Sequence, residues 1–132
     1  MLRQLFILAA ALGLATAAPA ADAAKPKVVG LLFYADWCAS CKVLEPKLNA
    51  VKKDFAGKPI VFTRVDMTDD FTKEQSALLA AQLGFGDAYA ENAPKTGFML
   101  LLDSATGRVL SKLMKTQSEE DLKAAITRAL GV

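Results

Sequence analysis

Val28 to Tyr34 is an unbroken run of apolar residues rich in strand formers, and such a run reads as a buried central strand. A few residues later the pattern changes. From Cys41 onward Val43, Leu44, Leu48, Val51 and Phe55 recur at helical spacing, and Gly57 with Pro59 supplies the stop. Pro46 falls inside this helix, where its missing backbone donor and the crowded preceding turn predict a kink. The junction between them is therefore held where a strand ends and a helix begins.

Ile60 to Asp66 reads as the next strand, and Met67 to Phe71 as a polar turn into a second helix through Ala77, Leu78, Ala81 and Leu83. Strand, helix, strand, helix predicts a parallel pair with a right-handed crossover. Gly84 to Gly97 is read as one long irregular stretch containing Tyr89 and Pro94. Such a stretch forms either a lip over a site or an incidental surface loop. Phe98 to Leu102 is a third strand, and Asp103 to Gly107 is a turn into Arg108 to Met114, which predicts an antiparallel hairpin. Ser118 with Asp121 resembles a capping box opening a last helix through Leu122, Ala125, Ile126, Ala129 and Leu130 before Gly131. The expected class is α/β, with a central mixed sheet of about four strands and three helices over its two faces.

The N-terminus differs from the rest. Arg3 gives a positive start, Leu5 to Ala15 is apolar throughout, and Ala18-Pro19-Ala20 suits a peptidase that cleaves after small residues. These features predict a signal peptide at residues 1–20, a short lead at 21–27 and one domain at 28–132. A retained anchor is the alternative, though the apolar run falls short of the ~20 residues that span a bilayer. Export predicts a soluble, periplasmic, monomeric protein whose cysteines lie outside the reducing cytosol. Lysine and arginine total 16 against 14 acidic residues, so no basic field is present to draw nucleic acid.

The chain's only cysteines, Cys38 and Cys41, fall at the junction. Structural zinc wants four soft ligands, and the chain has neither histidine nor a further cysteine, so no metal is expected from one chain. Covalent haem needs a histidine after the second cysteine, where Lys42 stands, and no cofactor is expected. A structural disulfide is the plain alternative, although closing so short a loop removes little entropy from the unfolded chain. A redox pair has positive support, because helix N-terminal amides favour a thiolate on Cys38 while Cys41 lies one turn inward.

Phe33-Tyr34-Ala35-Asp36-Trp37-Cys38-Ala39-Ser40-Cys41-Lys42, with Pro46 beyond, resembles the active-site motif of the thioredoxin-like family. Its wording is most similar to that of the periplasmic thioredoxin-like domain of the electron transporter DsbD. The resemblance implies a minimal thioredoxin-like fold, with Cys38 attacking and Cys41 resolving through a Cys38–Cys41 disulfide. It sets Trp37 beside the reacting sulfurs, with Asp36, Lys42, Pro46, Thr96 and Gly97 in supporting or substrate-facing places. A second reading has Trp37 covering the core. Two positions depart from the family. Leu32 stands where thioredoxin carries a buried acid, leaving Asp36 and Glu45 as candidates to handle protons or as plain surface charges. Gly97 stands where the family places a cis-proline facing the cysteines, and the alternative is that Pro94 serves through a shifted loop.

The function so implied is an exported protein-disulfide reductase or electron relay, acting on disulfides or thiols of exported proteins and recharged by a membrane donor of transporter type. Two rivals are an oxidase or isomerase of the same compartment, and a binding module that uses the scaffold without turnover.

Overall fold

The computed structural model describes residues 25–131. The leader expected at residues 1–20, residues 21–24 of the lead and residue 132 lie outside the described residues. β1 (Val28–Tyr34) is buried along almost its whole length because it is flanked on both edges. β2 (Ile60–Asp66) pairs with it in parallel, from Val28 opposite Ile60 to Tyr34 opposite Asp66. β3 (Phe98–Asp103) pairs antiparallel, with Phe33 opposite Phe98, and β4 (Val109–Met114) completes the order β2-β1-β3-β4. The mixed sheet, the parallel pair and the hairpin are as expected from the strand pattern. The hairpin turn is held by the Asp103 carboxylate, which accepts the N–H groups of Ala105 and Thr106 at 3.0 and 2.9 Å.

Side chains alternate across a strand, so the sheet separates two apolar clusters. On one face Val28, Leu32, Met99, Leu101 and Leu113 meet Leu44, Leu48 and Val51 of α1 (Ala39–Lys52) and Leu122, Ile126 and Leu130 of α4 (Glu119–Leu130). On the other, Leu31, Phe33, Val65, Phe98 and Leu100 pack with Phe85, Ala88, Cys38 and Cys41. Burial of each large aliphatic or aromatic side chain contributes roughly 1.5–3 kcal/mol, whereas an exposed ion pair contributes about 1 kcal/mol at most. Packing, not the half-exposed Lys123–Asp54 pair at 2.9 Å, therefore fixes α4 on α1. Gly30 sits at the tightest point of the sheet: a Cβ there would meet the Phe62 ring at 2.8 Å and Met99 Sδ at 2.9 Å.

Two expectations are corrected. The stretch from Gly84 to Gly97 is not irregular throughout but holds α3 (Gly86–Asn92), giving four helices rather than three, plus a 3₁₀ turn at Lys53–Phe55. α3 is under two turns long and buries mainly Ala88, so no helical period could develop in its sequence. In α2 (Asp70–Gln82) the buried positions are Ser76 and Ala80, while Leu78, Leu79 and Leu83 beyond it are exposed. Ser76 faces inward because its hydroxyl closes the end of β2, accepting the Asp66 N–H at 2.7 Å and donating to the Asp66 carbonyl at 3.1 Å. Pro46 falls inside α1, whose helical residues run from Ala39 to Lys52.

Candidate active site

The chain leaves β1 at Tyr34 and turns through Ala35, Asp36 and Trp37, with the Cys38 N–H donating to the Ala35 carbonyl at 3.1 Å. Cys38 is the N-cap of α1, and its Sγ accepts the N–H of Cys41 at 3.1 Å. Oxygen side chains normally fill this place, satisfying an amide the helix leaves unpaired. The two sulfurs are joined in a disulfide, with Cα atoms 5.3 Å apart. Cys41 is completely buried and Cys38 retains 4% exposure, so the outer sulfur is the one a partner can reach. The first turn of α1 carries no acidic side chain, leaving the positive end of the helix dipole to favour negative charge on Cys38.

β3 closes the site from the opposite side. Gly97 lies directly before it with φ +89°, and a Cβ built there would come 2.6 Å from Ser40 Cβ and 3.4 Å from Cys38 Sγ. The Gly97 N–H donates to the Phe33 carbonyl at 2.9 Å, and the same oxygen lies 3.7 Å from Cys41 Sγ. Pro94 follows a cis Ala93–Pro94 peptide but is exposed, so the place facing the cysteines belongs to Gly97. Thr96 flanks it, half-buried.

Trp37 does not cover the core. It is 60% exposed, with its indole N–H donated to the Thr68 carbonyl at 3.1 Å. Asp36, Lys42 and, within α1, Pro46 are exposed. Leu32, 2% exposed, is packed among apolar side chains of α1 and α4. Its register neighbour Arg64 pairs with Glu45 at 3.6 Å and lies over the Tyr34 ring at 4.4 Å. Charge on this face thus sits at the rim, and the position of the family's buried acid is filled with hydrocarbon.

Thr68 was not singled out from the sequence. The signal was there in the topology: parallel β1 and β2 end side by side, so the loop after β2 must lie against the turn after β1. Among the described residues no group of three or more potential metal ligands occurs, and no helix is long and apolar enough to cross a membrane.

The four-stranded mixed sheet, the helices on both faces and a Cys-x-x-Cys disulfide at the start of α1 define a thioredoxin-fold protein. Residues 19–78, which include the whole of that motif, match the thioredoxin family model. Thioredoxin-T of Drosophila melanogaster is 38% identical over 52 residues, which are 39% of this chain and 33% of that protein. Thioredoxin F, chloroplastic, of Oryza sativa subsp. japonica is 32% identical over 108 residues, 81% of this chain and 51% of that protein. The chain thus spans about a third and about half of the lengths of these relatives. A solved structure described as DsbH oxidoreductase shares the fold, with a TM-score of 0.56 at 19% identity over 81% of this chain and 74% of that one.

Proposed function

We propose that this chain is an exported thiol-disulfide oxidoreductase that reduces, or relays electrons to, disulfides of other exported proteins. One observation carries the reading: Cys38 caps α1 and is the more exposed cysteine of the pair, and its partner Cys41 is sealed behind it. In the reduced protein the Cys38 thiolate attacks one sulfur of a substrate disulfide, forming a mixed disulfide and expelling a substrate thiolate that takes up a proton. Cys41, deprotonated, then attacks Cys38 Sγ. The mixed bond breaks, the second substrate thiolate leaves, and the Cys38–Cys41 disulfide carries the two electrons' worth of oxidation. A membrane dithiol donor of the DsbD type would return the pair to its reduced state. The N-terminal leader supports a periplasmic setting, and the DsbD-like wording around Cys38 supports the relay.

The test is the reduction potential of the dithiol together with turnover on a model protein disulfide. A potential near the thioredoxin end, about −270 mV, with turnover supports the reductant, and one near −120 mV replaces it with an oxidant. No turnover in either direction would leave the binding-module reading. In cells, Cys41→Ala is expected to accumulate mixed disulfides through Cys38, and fractionation of the tagged chain reads export directly.

A further inference from the structure

The proposed chemistry leaves one conspicuous arrangement without a role. Thr68, in the loop between β2 and α2, holds the turn that delivers Cys38 from two sides. Its hydroxyl accepts the Asp36 N–H at 3.1 Å, and its carbonyl accepts the Trp37 indole N–H at 3.1 Å. The hydroxyl's own proton goes to Asp66 Oδ1 at 2.5 Å, and the Thr68 N–H reaches the same oxygen at 2.9 Å. Asp66 is anchored in turn, because Ser76 of α2 bonds both its backbone N–H and its carbonyl. A hydroxyl that donates to a carboxylate is oriented with its lone pairs elsewhere, here toward the Asp36 amide.

A tryptophan 60% exposed gains little from packing, so its orientation rests on the indole bond to the Thr68 carbonyl and on the turn that the Thr68 hydroxyl holds through the Asp36 N–H. We infer that Thr68 is a positioning residue: it latches the Asp36–Trp37 turn to the β2–α2 corner and so fixes how Cys38 and the Trp37 face meet an incoming disulfide. The inference rests on the thiol-disulfide reading for its catalytic consequence, but the latch itself does not.

The test uses Thr68→Val, which keeps shape and loses both hydroxyl bonds, beside Thr68→Ser, which keeps them. Trp37 is the chain's single tryptophan, so its fluorescence reports the turn alone. Thr68→Val is expected to lower kcat/KM on a protein disulfide about ten-fold, and Thr68→Ser to stay within about two-fold of the natural protein. Acrylamide quenching of Trp37 should rise in the valine variant and not in the serine one. Equal turnover and quenching in all three proteins would overturn the inference, as would a serine variant as impaired as the valine one. Amide exchange at Asp36 needs no variant: exchange at the free-peptide rate in the natural protein also overturns it. If the natural protein turns over no disulfide, the functional reading fails while quenching and exchange still decide the latch.

Discussion

Gly97 and Ser40 touch across the disulfide, one from the start of β3 and the other from the first turn of α1, leaving 2.6 Å where a Cβ on residue 97 would meet Ser40 Cβ. The contact sets the width of the site, because Cys38 Sγ lies beside it. Gly97 is required twice over, by space and by its φ of +89°.

Gly97→Ala is therefore expected to lower stability by roughly 1–3 kcal/mol. Ser40→Gly in the same chain removes the clash but not the backbone strain, so the double variant should recover about 1 kcal/mol. Denaturant titrations of the four proteins form the cycle. Strict additivity would show that the two residues are not in contact.

The burial difference between the sulfurs predicts the order of alkylation. In the reduced protein Cys38, 4% exposed in the disulfide form and placed at the helix N-terminus, should react with iodoacetamide at least about ten-fold faster than Cys41, which is fully buried there. Peptide mapping by mass spectrometry after brief labelling reads the ratio. Equal labelling in the folded protein would remove the basis for assigning attack to Cys38.

Three carboxyls share an acid-labile role. Asp69 is held below its ordinary value chiefly by the Thr72 backbone N–H, Asp103 by that of Thr106, and Asp121 by the Ser118 hydroxyl. Depressed folded-state values mean that the ionised carboxylates contribute stability above the ordinary value of 3.8, and that this is lost as pH falls through the lower folded values. Urea midpoints should thus decline from about pH 4 downward. Asp69→Asn and Asp121→Asn, whose amide oxygens can still accept these hydrogen bonds without a charge, should flatten that decline. A decline just as steep in the double variant would locate the acid sensitivity elsewhere.

Leu32→Asp places a carboxyl at the family's buried acid position, but here among Leu44, Leu48 and Ile126. Arg64, its register neighbour, is already paired with Glu45 and stacked on Tyr34. The substitution should cost roughly 3 kcal/mol or more and leave turnover unimproved. A stable Leu32→Asp protein with faster resolution of mixed disulfides would show that the site tolerates an acid after all.

How much of this was legible in the sequence follows from what each feature depends on. β1, the hairpin and α4 were readable because an apolar run, a turn and a capping box are local signals. α3 was not, being short and secured by Phe85 and Ala88 against the sheet. The face of α2 was misread because Ser76 points inward to bond the backbone of Asp66, an arrangement that hydrophobic period cannot display. At the site, Cys38 and Cys41 announce themselves by spacing. Thr68, and the meeting of Gly97 with Ser40, arise only when loops from different strands come together in space.

Cys38 is at once a redox sulfur and the cap of α1. A single atom with both duties ties two equilibria together, since changing its oxidation state changes how well it holds the first turn of a helix that carries much of one core. The oxidised and reduced proteins must therefore unfold with different free energies. That difference equals the amount by which folding moves the dithiol's potential from its unfolded value, about 1.4 kcal/mol for each 30 mV. A pair of melting curves would thus weigh the electrons.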